Sequence, residues 1–169
     1  MPNYMRVRVT MKGIAKLPFY DEWGDLDFDK VIPTPKELFK GADKDGFVPL
    51  GEGMILRNWR REHWGTWSSS AWLRVVTSNR IAFETAWTPP IKLFQEVSRR
   101  YPDRGIFIEW ADEVKSNHNV GCAKIINGEV VGRIDFETPS TCERKWEQLW
   151  RYGLPKNKYM VKNKARLKK

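Results

Sequence analysis

The stretch from Asn58 to Pro90 reads NWRREHWGTWSSSAWLRVVTSNRIAFETAWTPP and holds five of the nine tryptophans. They are Trp59, Trp64, Trp67, Trp72 and Trp87. The pattern predicts the end of a helix, a Trp-Gly-Thr-Trp turn, two strands, and a Thr-Pro-Pro segment that opens another helix. Because a tryptophan side chain buries so much area, we expect this stretch to form the densest part of the core.

Length and composition indicate a single globular domain. The chain has 169 residues, of which 41% are hydrophobic and 13% aromatic, enough to bury a core without disulfides. No apolar run is long enough for a transmembrane helix, and the N-terminus lacks the apolar segment of a signal peptide. We therefore expect an intracellular protein with no membrane contact. Two cysteines, Cys122 and Cys142, support neither a disulfide framework nor a zinc cluster.

The positive charge is concentrated at the C-terminus. Net charge is +9, but residues 156–169 hold seven Lys or Arg and no acid, which leaves 23 basic against 21 acidic residues in the rest. We predict a domain over residues 1–155 and a flexible basic tail over 156–169. A basic tail suits a polyanion or an acidic protein face, or it is simply a solvated terminus. The net charge excludes an acidic mimic of DNA.

Periodicity predicts an α+β fold. The expected elements, in order, are a strand at 4–12, helices at 35–40 and 52–62, strands at 71–77 and 80–87, a helix at 89–101, strands at 106–110, 120–126 and 130–136, and a helix from 139 ended by 153–155. The strand-helix-strand-strand-helix-strand order within this series is ferredoxin-like. We expect one antiparallel sheet with helices on one face, the other face being open to solvent or a binding platform.

Side-chain alternation predicts the orientation of several residues in this fold. In the strand at 80–87, Ile81, Phe83, Thr85 and Trp87 share one face, and we expect that face to be buried. We also expect Thr88 to cap the following helix.

Three further local patterns give predictions. Met54 and Ile55, in the helix at 52–62, are expected to turn toward the core. Asn127-Gly128 predicts a type I′ turn between the strands at 120–126 and 130–136. The apolar stripe of the last helix is predicted at Cys142, Trp146, Leu149 and Trp150.

Several segments of the chain resemble the phage- and plasmid-borne YubB-like family, which has a ferredoxin-like domain. The segment from His63 to Trp67 resembles a motif of that family, although His63 stands in place of an asparagine and a lysine before the second tryptophan is missing. Residues Phe83 to Pro90 resemble the family's Phe-x-Thr-Ala-Trp-x-Pro-Pro strand end, and DFDKVIPTPKEL resembles a further segment. The resemblance covers roughly residues 4–136. It implies a mobile-element accessory protein that lies in the cytoplasm of a bacterial host and acts against host defence. The family has no catalytic residues that could be assigned to positions of this sequence.

Enzymatic motifs are absent from the sequence. It contains no Walker or Rossmann glycine pattern, no His-Glu-x-x-His and no Gly-x-Ser-x-Gly. His118 and Cys122 lack a visible third metal ligand. Glu84, Glu109 and Asp135 are better explained as a metal-free set of partners for Arg74, Arg80 or Arg133. We therefore predict a non-enzymatic protein with no cofactor or metal, and a small hydrolase or nuclease is the least favoured alternative.

Basic residues near aromatic residues favour a binding function, since they suit phosphate contact and base stacking as well as protein hot spots. The predicted contact residues are Arg57, Arg60, Arg61, Trp64, Arg99, Arg100, Arg104, Lys156, Lys158, Lys162, Lys164 and Arg166. Our leading hypothesis is a protein that binds and inhibits a host nucleic-acid-directed defence complex, a protein or ribonucleoprotein, in the manner of an anti-CRISPR. The alternative is a protein that binds RNA or single-stranded nucleic acid directly, although the RNA-recognition pattern of spaced aromatics is absent around Phe107.

Overall fold

The computed structural model describes residues 3–39, 50–117 and 119–150. The strands of this part are β1 (Tyr4–Thr10), β2 (Ala71–Thr77), β3 (Arg80–Ala86), β4 (Ile106–Asp112), β5 (Val120–Ile126) and β6 (Glu129–Asp135). Its α-helices are α1 (Leu50–His63), α2 (Ile91–Arg100) and α3 (Pro139–Trp150). Short 3-10 turns occupy Ile14–Lys16, Phe28–Lys30, Lys36–Phe39 and Lys115–Asn117.

The described strands form one six-stranded sheet in the order β2-β3-β1-β4-β5-β6, with every neighbouring pair antiparallel. The first four strands, with α1 between β1 and β2 and α2 between β3 and β4, have the predicted ferredoxin-like order. The β5–β6 hairpin extends the sheet beyond β4. The predicted α+β, ferredoxin-like fold class is therefore confirmed.

One face of the sheet carries the main core. Met5, Val7 and Val9 of β1 alternate toward it and are completely buried, as the period of two requires. Ile106 and Ile108 of β4 lie on the same face, and they belong to the same apolar cluster as the buried face of α2. The cluster thus packs α2 against the centre of the sheet, and burial of this apolar area is the main favourable term of folding.

The last helix lies on the opposite face, which corrects the expectation that all helices share one face. Arg6 and Glu109 point away from the main core, and α3 meets both: the Arg6 guanidinium stacks over the Trp150 ring at 4.1 Å, and Lys145 pairs with Glu109. Cys142 and Leu149 of α3 are buried in a second apolar cluster. The physical reason is that Ala111 of β4 and Val120 of β5 make this end of the second face apolar, so the apolar stripe of α3 can be buried against it.

Helix α1 differs from its prediction in which residues face the core. Met54 and Ile55, expected to face the core, are 46% and 57% exposed, whereas Leu56 is buried. Trp59 packs partly against the main core. A surface helix turns one stripe of residues toward the core. The apolar residues of α1, LGEGMILRNWRREH, recur too irregularly for the sequence to identify that stripe.

The β5–β6 turn confirms a local prediction. Asn127 and Gly128 have φ of 47° and 82°, the two positive values that a type I′ hairpin turn requires. The turn is held to α2, because the Gly128 amide donates to Ser98 Oγ at 3.2 Å and Gln95 Nε2 donates to the Gly128 carbonyl at 2.9 Å.

Gly121 in β5 should resist substitution. A Cβ there would lie 2.3 Å from the indole of buried Trp110 and 2.7 Å from the Ile134 carbonyl. We expect Gly121→Ala to lower the free energy of unfolding by about 1–3 kcal/mol, as overpacking does, measured by urea denaturation. Gly132→Ala on β6 is the matched control, because no described atom lies within 4 Å of that Cβ position. Equal stabilities of the two variants would contradict the prediction.

None of the described helices is long and apolar enough to cross a membrane. The predicted basic tail at 156–169 and His118 lie outside the described residues, so the domain boundary at 155 stays a prediction.

Candidate binding surface

The two motif segments of the sequence are bound to each other in the structure. The loop after α1 carries Gly65 and Thr66, and the segment after β3 carries Thr88. Thr66 Oγ1 donates to the Ala86 carbonyl at 2.8 Å, and Thr88 Oγ1 donates to the Gly65 carbonyl at 2.6 Å. Thr88 therefore ties the loops together instead of capping α2, whose N-terminus has no side-chain cap bond. These two reciprocal hydrogen bonds join segments that are about twenty residues apart in the sequence, and they make the two segments one rigid unit.

Gly65 allows the first loop to sit directly on α2. Its φ is +85°, and a Cβ would lie 3.3 Å from the Ile91 amide nitrogen. The Leu93 amide donates to the Trp64 carbonyl at 3.2 Å. Only glycine combines this backbone conformation with so close an approach at low cost.

Trp64 is a core residue, which contradicts its predicted place on a binding surface. It is completely buried, and its Nε1 donates to the Ile32 carbonyl at 2.9 Å. Its ring meets Phe28 edge-to-face at a centroid distance of 5.4 Å. The indole thus satisfies its polar atom internally, as buried tryptophans do.

Trp87 is the opposite case, because it was expected in the core and lies at the surface. Its φ is +68° and it is 41% exposed. Strand β3 ends at Ala86, and the positive φ breaks the alternation that would have placed Trp87 beside buried Phe83. A left-handed backbone costs a bulky residue roughly 1–2 kcal/mol, so the surrounding bonds must hold it there.

Two contacts hold Trp87 in this conformation. Its amide donates to the Asn3 carbonyl at 3.0 Å, and its ring lies 6.3 Å from the Trp67 ring at a tilt of 46°. Neighbouring Tyr4 pairs with Ala86 and is 39% exposed. We call Trp67 and Trp87 the tryptophan surface. Strained residues that persist on a rigid frame are typical of functional sites.

The arginines predicted on α1 divide into two groups. Arg57 and Arg61 are exposed. Arg60 is half-buried, with its guanidinium 4.9 Å from the centroid of Trp64. Burial lowers the pKa of Arg60, and the charge of Asp29 partly opposes that shift. Arg60 thus covers the core tryptophan instead of offering a free cation beside it.

The arginines predicted near the end of α2 are mostly engaged within the fold. Arg100 donates to the Lys30 carbonyl at 3.4 Å and to the Val31 carbonyl, and it pairs with Glu96. Arg104 donates to the Lys12 carbonyl at 3.4 Å. These two side chains tie α2 and its following turn to the N-terminal segments. Arg99 also pairs with Glu96, but 56% of its side chain remains exposed.

The strand carboxylates pair with basic side chains, as predicted, although mostly with other partners. Glu84 pairs with Arg6 at 2.5 Å, Glu109 pairs with Arg8 and with Lys145, and Asp135 pairs with Arg133 at 2.8 Å. Cys122 is buried, and burial raises the pKa of its thiol, while the charge of Lys145 lowers it and those of Glu109 and Asp135 raise it. Within the described ranges no three His, Cys, Asp or Glu residues are grouped as a metal site would require.

The fold and this surface define the class as a ferredoxin-like α+β domain that presents an aromatic surface beside the end of β3. The family model "Ferredoxin-like domain in Api92-like protein" matches residues 63–150, just over half of the chain. The chain belongs to that family.

A solved structure, the protein Api92 from Yersinia pseudotuberculosis, is similar to the chain at 18% identity and a TM-score of 0.49. The similarity covers 66% of this chain and 40% of Api92, so the chain spans less than half the length of that protein. No curated protein matches the chain.

Proposed function

We propose that this chain is a non-enzymatic accessory protein of the YubB-like kind, carried by a phage or plasmid, that binds and inhibits a host nucleic-acid-directed defence complex such as a CRISPR effector. The binding part of the proposal rests on the tryptophan surface. The role against host defence and the mobile-element origin rest on the sequence resemblance alone.

The observation that carries the binding function is the exposed Trp87. Tryptophan is among the residues that most often dominate the energy of protein–protein interfaces. Here the side chain is displayed at a backbone conformation that costs free energy, on loops tied by the Thr66 and Thr88 hydrogen bonds. A pre-organised aromatic side chain loses little conformational entropy when a partner covers it.

The engagement of three of the predicted cations within the fold favours a protein partner over nucleic acid. Of the predicted cations, Arg60 covers Trp64, and Arg100 and Arg104 donate to backbone carbonyls. These groups are less available for phosphates than the sequence indicated. Direct binding of RNA or single-stranded nucleic acid, the alternative function, requires a different surface.

We expect Trp87→Ala to remove partner binding without unfolding the protein. The tagged full chain would be used to capture partners from lysate of a host cell with an active CRISPR system, before and after nuclease treatment. Wild type should retain a nuclease-resistant protein that Trp87→Ala releases. Trp23→Ala is the matched control, since Trp23 is 63% exposed and lies in the 21–25 turn.

The biological part has a separate readout. In the same host, expression of wild type should raise the plaque count of a targeted phage, and Trp87→Ala should not. Capture without any change in plaque count would refute the inhibitory role while leaving the binding surface supported. Equal capture by wild type and Trp87→Ala would refute the surface.

A further inference from the structure

The second face of the sheet is covered by α3 at one end only. Trp150 Nε1 donates to the Ala111 carbonyl at 3.0 Å, and Trp146 Nε1 donates to the Asp112 carbonyl at 2.9 Å. Both acceptors are at the end of β4. The contacts of α3 therefore run from the end of β4 to Glu109 at its middle, where Lys145 pairs with that carboxylate. Phe107, at the opposite end, where β4 begins, receives none of these contacts.

A row of side chains crosses five strands at that opposite end. Register pairs Thr10 with Arg80 and with Phe107, Phe107 with Lys124, and Lys124 with Gly132. Directly paired residues share a face, and the bond from Arg80 Nε to Thr10 Oγ1 at 3.2 Å shows this for the first pair. We call these five residues the open row.

The open row is accessible. Phe107 is 39% exposed, and Arg80 and Lys124 are exposed on either side of it. No described atom lies within 4 Å of a Cβ on Gly132. The row thus presents an aromatic ring with a cation on each side. Beside Lys124, Gly132 has no side chain that would obstruct a ligand.

The electrostatics of the adjacent row favour an anion. Its carboxylate, Glu109, is 7% exposed and is neutralised by Arg8, at 2.6 and 2.9 Å, and by Lys145. It therefore does not cancel the charges of Arg80 and Lys124. Glu129, paired with Ile126 at the hairpin end, is an exposed acid two residue positions from Lys124 along β5.

We infer that the open row binds single-stranded nucleic acid. Strands about 4.8 Å apart place Lys124 one strand from Phe107 and Arg80 two strands away, so phosphates on both sides of a base stacked on the ring meet a cation. A duplex offers no unstacked base to the ring. The basic residues 156–169 are like-charged with the row, which argues against the chain's own tail as the occupant.

The open row and the tryptophan surface are independent. Thr10 and Arg80 mark the end of β1 and the start of β3, whereas Trp87 follows the end of β3. Substitutions in one surface therefore test it without altering the other. The inference does not depend on the proposed protein partner.

The test uses the full chain and a 5′-labelled oligo-dT of twenty nucleotides, with a duplex of equal length for comparison, in anisotropy titrations at several salt concentrations. We expect tighter binding of the single strand. Phe107→Ala should weaken it roughly fivefold to 150-fold, the range of one lost stacking contact. Phe107→Tyr keeps the ring and should keep the affinity. Thermal melting of both variants checks that the fold is retained.

The charge contribution has its own control pair. Lys124→Gln should reduce the slope of log affinity against log salt by roughly 0.7, because one phosphate contact is lost. Lys36→Gln, at an exposed lysine in the 36–39 turn, should leave the slope unchanged. Trp87→Ala should bind the oligonucleotide like wild type.

Three results would overturn the inference. Wild-type affinity in Phe107→Ala would show that the strand binds elsewhere, such as on the basic tail. Equal affinity of wild type for duplex and single strand would remove the stacking role. Displacement of the oligonucleotide by polyglutamate at equal charge concentration would indicate a site for acidic proteins. Each of these leaves capture through Trp87 unaffected, so failure here is distinct from failure of the proposed function.

Discussion

Replacing Trp64 with alanine should lower the free energy of unfolding by about 3–5 kcal/mol, the cost of removing a large side chain from a tight core. Trp64 is completely buried, meets Phe28 edge-to-face, and underlies the Arg60 guanidinium. The cavity would also leave the Ile32 carbonyl without its 2.9 Å donor. Urea denaturation followed by far-UV circular dichroism measures the change without relying on tryptophan fluorescence.

Two further variants test whether the loss of stability in Trp64→Ala comes from its burial and its hydrogen bond. Trp64→Phe keeps most of the apolar volume but leaves the Ile32 carbonyl unpaired, so we expect a loss of about 1–3 kcal/mol. Trp87→Ala should cost less than Trp64→Ala, because Trp87 is 41% exposed. If the two alanine variants were equally unstable, the assignment of Trp64 to the core and Trp87 to the surface would be wrong.

The second large effect is expected at Glu109. Its side chain is 7% exposed and lies between Arg8 of β1 and Lys145 of α3. Glu109→Gln leaves two cations, 20% and 16% exposed, without their counter-charge. Breaking a buried pair from one side costs about 3–5 kcal/mol. We expect about 3 kcal/mol, because Arg8 and Lys145 keep some contact with water.

The exposed ion pair on α3 supplies the control for Glu109. Glu143 pairs with Lys115, and both side chains are largely exposed. Exposed pairs contribute little to stability, so Glu143→Gln should unfold at nearly the wild-type urea concentration. An equal loss of unfolding free energy in both glutamine variants would show that the burial of Glu109 does not cause the effect.

The same carboxylate predicts a pH dependence. Burial pushes the pKa of Glu109 upward, but the hydrogen bonds and charges of Arg8 and Lys145 outweigh it, so the pKa lies below its ordinary value. The stabilisation is therefore complete above the unfolded pKa of about 4.3 and is lost as the pH falls through the folded pKa. Between pH 6 and pH 3, wild type should lose more stability than Glu109→Gln. Parallel pH profiles would contradict this assignment.

Local patterns explain why the fold class was predictable. The alternation of Met5, Val7 and Val9 and the Asn127-Gly128 turn depend on backbone geometry within a few residues. The apolar stripe of α3, predicted from Cys142, Trp146 and Leu149, is confirmed by its packing. In each case the residues that form the pattern also determine the element.

The candidate surfaces were predictable only in part. Arg57, Arg61 and Arg99 are exposed as expected. Trp64, however, is buried, and the Arg100 guanidinium donates hydrogen bonds to backbone carbonyls. Whether an arginine is free to bind a ligand depends on which acceptors its guanidinium reaches, and such acceptors lie far away in the chain. Arg100 is 69 residues from Val31, a distance over which no sequence period gives information.

The sequence by itself determined the strands, the hairpin, the apolar stripe of α3 and hence the ferredoxin-like class, because hydrophobic period and turn chemistry act locally. Only the tertiary structure decided that Trp87 leaves the core, since its positive φ is held by Asn3 and by loops tied through Thr66 and Thr88. It also decided that α3 crosses to the second face and leaves the row around Phe107 open. Both outcomes depend on contacts between segments that are distant in the chain, and those contacts form only when the sheet has assembled.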